Sequence, residues 1–113
     1  MKLTYLTETM GYRELVFPDK TAAVHAAFTS DLLSDVMGNA PDNSILITVQ
    51  GHKNTVAVAS LAGIQAIVLC SKRSAPEEMT DAALREGIAV FSTSDNQFTA
   101  SWKIAQGLQL VRQ

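Results

Sequence analysis

The chain is poor in the residues that build covalent or metal-held frameworks. Its 113 residues include one cysteine, Cys70, and two histidines, His25 and His52. One cysteine excludes an intrachain disulfide framework and suits a reducing compartment. Two histidines and one cysteine make no zinc set. No apolar run reaches the roughly 18 residues that cross a bilayer. The opening MKLTYLTETMGY carries one lysine and no long apolar core, so no signal peptide is expected and the expected location is cytoplasmic. A basic excess is also missing, with nine Lys and Arg against eleven Asp and Glu for a net charge of −2. Nucleic-acid binding is therefore not expected. There is no repeat, low-complexity tract or linker, and neither GxGxxG nor GxxxxGK[ST] occurs, so no nucleotide motif and no P-loop is read.

What is present is the composition of a folded domain. At 47% hydrophobic and 18% charged residues, the chain is ordered rather than disordered. Its length suits a single domain over 1–113, and any wider task is expected to depend on a partner or on self-association.

The organising stretch is SILITVQGHKNTVAVASLAGIQAIVLC, between Ser44 and Cys70. Two short apolar runs, 45–49 and 66–70, flank small and apolar residues at helical spacing, Val56, Ala59, Ser60 and Gly63. A crossover of this length implies parallel pairing, because a hairpin needs only a tight turn. The strand–loop–helix pattern then repeats. Pro76, Glu77 and Glu78 open a helix ending at Gly87, with Met79, Ala82, Ala83 and Leu84 inward. A third strand covers 88–91, and a last helix covers 96–106 with Phe98, Trp102 and Ala105 as its apolar stripe. Residues 108–113 form either a short strand or a frayed end.

Ahead of this core, a short helix over 3–10 stops at Gly11 and a strand covers 13–17. Residues 22–28 are extended or weakly helical. Ser30 or Asp31 caps a helix that buries Leu32, Leu33, Val36 and Met37 and ends at Gly38-Asn39 in left-handed form. The fold class read from this pattern is α/β, a layered single domain with a mainly parallel sheet built from successive strand–helix units.

Right-handed crossovers place the loops after the three strands at one sheet edge, where ligands of open α/β sheets bind. The first loop offers Gly51, His52, Lys53, Asn54 and Thr55. The second offers Ser71, Lys72 and Arg73, and the third offers Asp95 beside Thr93. Three cations near two helix N-termini suit a phosphate or carboxylate, although all three also read as ordinary solvated loop residues. His52 is the one candidate general base in its loop, and it reads more readily as a hydrogen-bonding or capping group than as a catalyst. His25 reads as a surface or satisfied histidine. Cys70 ends a buried strand and reads as inert packing, not as the partner of His52 in a Cys-His pair. Ser94 or Asp95 reads as a cap of the last helix. Asp31 and Asp35, four apart on one helix face, read as solvent-exposed.

The strings SDLLSDVMGNA, ILITVQGHKNTVAVASLAGIQAIVLC and EGIAVFSTSDNQFTA resemble the DRTGG-domain family over residues 1–108. The resemblance is to small stand-alone members, which are similar to the non-catalytic N-terminal domain of HPr kinase/phosphorylase. It implies an α/β regulatory module, found also in some phosphotransacetylases and CBS-domain pyrophosphatases, that associates as a dimer and has no catalytic residues. It also implies a hydrogenase-associated gene context. Two departures stand out. Gly51-His52-Lys53 replaces the family's Gly-Asp-Arg, and Cys70-Ser71-Lys72 replaces its Thr-Gly-Gly, which removes two permissive glycines.

The resulting reading is a non-catalytic regulatory or ligand-sensing module with no cofactor. It acts through homodimerisation, for which Phe28, Met37 and Trp102 are the candidate apolar contacts, or through a protein partner or phosphorylated small molecule. The alternatives are a small-anion or nucleotide sensor using the first two loops, and a small enzyme using His52.

Overall fold

The computed structural model describes residues 1–111. Its centre is two strands with no solvent-facing side. In β3 (Ser44–Thr48) every residue is buried, and in β4 (Ile64–Leu69) every residue except Gln65. A strand that reads as a continuous apolar run must be covered on both faces, as parallel strands with helical crossovers are. The period of two then divides the side chains between two cores. Ile45, Ile47, Ala66, Val68 and Cys70 enter one core, while Leu46, Ile67 and Leu69 enter the other.

The second core is closed by three crossover helices, α2 (Leu33–Asn39), α3 (Lys53–Ala62) and α4 (Glu77–Glu86), through Val36, Val56, Ala59, Met79 and Ala83. The first core is closed by α1 (Thr4–Glu8) and α5 (Gln97–Gly107), through Leu3, Leu6, Ala100 and Ile104, with Tyr12 and Val24. The result is three layers, with helices on both faces of one sheet.

That sheet has five strands in the order β1-β5-β4-β3-β2, where β1 is Arg13–Val16, β2 is Ala26–Thr29 and β5 is Ala89–Ser92. Strands β2, β3, β4 and β5 are mutually parallel, and β1 joins β5 antiparallel. The sheet is therefore mixed: the expected parallel body with one antiparallel edge. The ambiguous residues 22–28 are extended and supply β2, so the parallel body holds four strand–helix units. A backbone bond from the Leu3 N–H to the Ala22 carbonyl (3.0 Å) and one from the Val24 N–H to the Met1 carbonyl (2.8 Å) tie the first residues to this segment.

Several helix faces differ from the sequence expectation. In α5 the inward residues are Ala100 and Ile104, whereas Phe98 is 78% and Trp102 44% exposed. In α4 Leu84 points outward. In α2 only Val36 is buried, and Leu32 and Met37 are exposed. A helix lying on a tightly filled sheet admits small and branched side chains at its contact line, so size won over hydrophobicity. Helix α2 begins after Ser30 and Asp31, with no side-chain cap, and ends without a left-handed residue. Pro41 ends it instead, holding Ala40 extended (ψ 133°). Of the two readings for 108–113, a short strand or a frayed end, no strand is present from Leu108 to Val111, where a turn at Leu108 and Gln109 follows α5; the last two positions lie outside the described residues.

Gly63 is the single residue between α3 and β4. It is left-handed (φ 75°), bonds the Ala59 and Ser60 carbonyls, and accepts the Asn43 N–H at 2.8 Å. A Cβ there would run into the Asp42 carboxylate, whereas one on the equally left-handed Gly87 would meet nothing. Gly87→Ala is expected to cost about 1–2 kcal/mol for the left-handed backbone alone, and Gly63→Ala measurably more. Urea denaturation of the two variants checks this; equal losses would remove the Asp42 contact from the account.

Candidate functional site

Four loops meet at the carboxyl edge of the parallel strands. Sequence reasoning found three, because β2 was not recognised and the loop after it was placed inside a helix. That missed loop carries Asp31, which is a cross-link rather than a free helix-face carboxylate. Its Oδ1 accepts from Thr48 Oγ1 (2.9 Å), the Val49 N–H (3.0 Å) and Gln97 Nε2 (3.0 Å), and its carbonyl accepts from Gln50 Nε2. One oxygen thus joins β3, the following loop and α5. Burial pushes this carboxyl upward, but the Val49, Thr48 and Gln97 hydrogen bonds and the Arg73 charge together hold it below the ordinary aspartate value.

Asp95 makes a second cross-link. Its Oδ2 accepts from Tyr12 Oη (2.8 Å) and Lys103 Nζ (3.0 Å), and its carbonyl accepts the Ser71 N–H (2.8 Å). The Lys103 hydrogen bond, followed by that of Tyr12, keeps the carboxyl below its usual value against the upward effect of burial. The Tyr12 phenol moves the other way, raised by burial and by its bond to Asp95. Helix α5 is capped by Asn96, whose side chain accepts the Thr99 N–H at 2.9 Å, rather than by Ser94 or Asp95.

The loop after β4 is fastened to the loop after β5. The N–H groups of Ser71 and Lys72 bond the carbonyls of Asp95 and Thr93, and that of Arg73 bonds Cys70. Ser71 and Lys72 are both left-handed, each at φ 60°. These are the positions at which the family resemblance puts glycines. Side chains occupy both left-handed positions, and each carries about 1–2 kcal/mol of conformational strain.

Gly51 brings the loop after β3 against this assembly, since a Cβ on it would lie 2.6 Å from the Ser74 carbonyl oxygen. The rest of that loop faces elsewhere. His52 caps α3, its Nδ1 accepting the Asn54 N–H at 3.2 Å, and Thr55 is buried with Oγ1 donating to the Gln50 carbonyl. Lys53 reaches Glu78 at 3.6 Å. Cys70 belongs to the core on the opposite face from α3, and burial, followed by the charges of Asp95 and Asp31, pushes its thiol up to about 12. At neutral pH it is a protonated packing residue.

A cleft of about 750 Å³ opens above β4 and β5, at the start of β1. Lys72, Arg73 and Asp95 line it, together with Tyr12 and Arg13; Gly51, His52, Lys53, Asn54, Thr55 and Ser71 do not. The sequence-predicted residues therefore divide between two places. Tyr12 precedes and Arg13 opens an antiparallel edge strand whose pairing, Arg13 with Ser92, reaches across most of the chain, so neither was expected at this edge. Among the described residues Arg13, Lys72 and Arg73 form no ion pair, and no cluster of His, Cys, Asp or Glu is arranged to hold a metal. No described helix is long and apolar enough to cross a membrane.

The two cross-links set an acid limit on the fold. A carboxyl whose folded value is depressed stabilises fully above its unfolded value, about 3.9, and loses that contribution as pH falls through the folded value. Asp31→Ala is expected to cost about 1–2 kcal/mol at pH 7, the lower part of the range for hydrogen bonds to a charged group because water reaches the site. Asp31→Asn, which keeps an acceptor oxygen, is expected to cost less and to show a shallower fall in stability below pH 4. Urea titrations between pH 3 and 7 measure both; an unchanged acid limb in Asp31→Asn would assign the acid loss to other carboxylates.

No family model matches the chain, and no curated protein matches it. A solved structure does: the CBS and DRTGG domains of the regulatory region of Clostridium perfringens pyrophosphatase, complexed with its activator diadenosine tetraphosphate. The TM-score is 0.75 at 16% identity, over 93% of this chain and 46% of that one. The chain thus spans about half the length of this neighbour, and the likeness is one of fold. That neighbour contains a DRTGG domain, in agreement with the α/β architecture expected from the resemblance.

Proposed function

We propose that this chain is a non-catalytic, ligand-sensing regulatory module that takes a phosphorylated small molecule in the cleft above β4 and β5. The observation that carries this reading is the set of three cations, Arg13, Lys72 and Arg73, lining one cleft with no carboxylate paired to any of them among the described residues. Unpaired cations from two separate segments are matched by an anion with several oxygens, and arginine suits phosphate in particular. The one carboxylate in the cleft, Asp95, is already held by Lys103. The hydroxyls of Ser92, Thr93 and Ser94 add neutral donors.

In this reading the anion site lies away from the helix N-termini. Helix α4 opens with Glu77 and Glu78, which repel an anion there, and α3 is capped by His52. The N–H groups of Ser71, Lys72 and Arg73 are spent on the loop assembly, so side chains hold the ligand. Because that loop is bonded to the loop before α5, a ligand on Lys72 and Arg73 biases both together. The phosphorylated activator of the neighbouring pyrophosphatase region supports the same class of ligand. Calorimetry with pyrophosphate is expected to show binding that weakens with salt and falls at least tenfold in Lys72→Ala/Arg73→Ala, with the ligand-free melting temperature unchanged. Binding that survives this double substitution would refute the site.

Self-association is the second part of the proposal. Strand β2 is paired on one side only, and α5, tied to it by the 2.7 Å contact of Thr29 with Ser101, exposes Phe98 and Trp102. Such an edge is a template for a second copy. Phe28 is half-buried within β2, and Met37 and Trp102 lie on helices covering opposite faces of the sheet. Light scattering after size exclusion is expected to give twice 12.2 kDa at micromolar concentration; a 12.2 kDa species throughout would exclude the dimer.

A further inference from the structure

The cationic cleft continues into a second space. A groove of about 370 Å³ runs between β1 and α4, and Leu15 and Thr80 line both the cleft and the groove. Past those two residues the lining turns apolar, with Val16, Phe17 and Leu84, and it includes one carboxylate, Asp81. Along the joined space there are three cations at one end, an aliphatic middle, and a single acid farther on. Among the described residues Asp81 forms no ion pair, and Leu84 is 63% exposed although its helix has a buried apolar line elsewhere, at Met79 and Ala83.

We infer that the ligand of the cleft is a nucleoside phosphate bearing an exocyclic amine on its base. This rests on the phosphate reading above and extends it along the groove. A bare phosphate or pyrophosphate fills only the cationic end. A nucleotide adds a planar group whose faces are apolar, which suits the Leu15 and Leu84 surface, and whose edge carries hydrogen-bond donors. The Asp81 carboxylate accepts from an amine at that edge and repels a second anionic group, so the far end of the ligand is neutral. Sites of this kind combine a mostly apolar lining with a few placed polar groups. A base edge with no N–H donor leaves Asp81 unmatched, which is where a site built for a hydrogen bond discriminates most strongly.

The experiment is calorimetry on the full chain with pyrophosphate, ADP, phenyl phosphate and purine riboside 5′-diphosphate, which lacks the amine and any other N–H on that edge. ADP is expected to bind about tenfold tighter than pyrophosphate, a step of about 1.4 kcal/mol, and tighter than the amine-free purine analogue or phenyl phosphate. Leu84→Ser, at an exposed position that leaves the core intact, is expected to remove the advantage of ADP over pyrophosphate without changing pyrophosphate binding. Asp81→Asn is expected to narrow the gap between ADP and the amine-free purine analogue. If neither pyrophosphate nor ADP binds, the phosphate reading itself fails. If both bind equally, or Leu84→Ser leaves the ratio unchanged, the groove is not part of the site and this inference falls while the phosphate reading stands. Phenyl phosphate binding as tightly as ADP would overturn the nucleoside assignment.

Discussion

Burial of β3 and β4 on both faces is the constraint on which the rest of the molecule depends. Each fully buried leucine or isoleucine there is worth about 1.5–3 kcal/mol, but only while both helical layers are in place. The alternation of Ile45 and Ile47 with Leu46, and of Val68 with Ile67 and Leu69, assigns each layer its own core. Neither layer is dispensable, because removing one exposes half of the side chains of every central strand. The N-terminal segment, α1 with Tyr12 and Val24, is therefore not an appendage. It shares with α5 the task of sealing the face that three successive crossovers leave open.

A sheet covered this way has one edge where strands end and helices begin, and there the polar groups cannot be buried among aliphatics. Two carboxylates solve this. Asp31 gathers three donors onto one oxygen, and Asp95 joins Tyr12 to Lys103 while its carbonyl holds the neighbouring loop. Their bonds tie α5 to both ends of the edge. With the carboxylates satisfied internally, the positive charge of Arg13, Lys72 and Arg73 is left facing the cleft. The cleft is thus electropositive although the chain as a whole carries a net charge of −2.

The units beginning at β3, β4 and β5 were legible because their strands are apolar runs and glycines or prolines punctuate their helices. Strand β2 was not, since Ala26, Ala27, Phe28 and Thr29 carry no alternation that separates a strand from a helix, and Asp31 was misread with it. The phase of α5 was misread for a different reason. Phe98 and Trp102 dominate any hydrophobic count, yet the sheet accepts Ala100 and Ile104. That Lys72, Arg73 and Asp95 lie together at the carboxyl edge was legible from loop position alone. Arg13 had no local signal, because only the long-range pairing of β1 with β5 brings it to the site. The first loop misled because its polar residues serve α3: His52 as its cap, Thr55 as its anchor, and Lys53 paired outward to Glu78.

The backbone of Ser71 and Lys72 links the fold to the cleft. Two consecutive left-handed residues with side chains are costly, and the fold holds them by taking both N–H groups into the loop before α5. Strain of this kind persists only where surrounding bonds over-determine it. In return, the turn sets Lys72 and Arg73 at the cleft on a rigid path instead of a flexible one. Glycines here would relieve the strain and free the turn, but would also remove the Lys72 side chain. Where the resemblance places two glycines, this chain has side chains, and one of them, Lys72, lines the cleft.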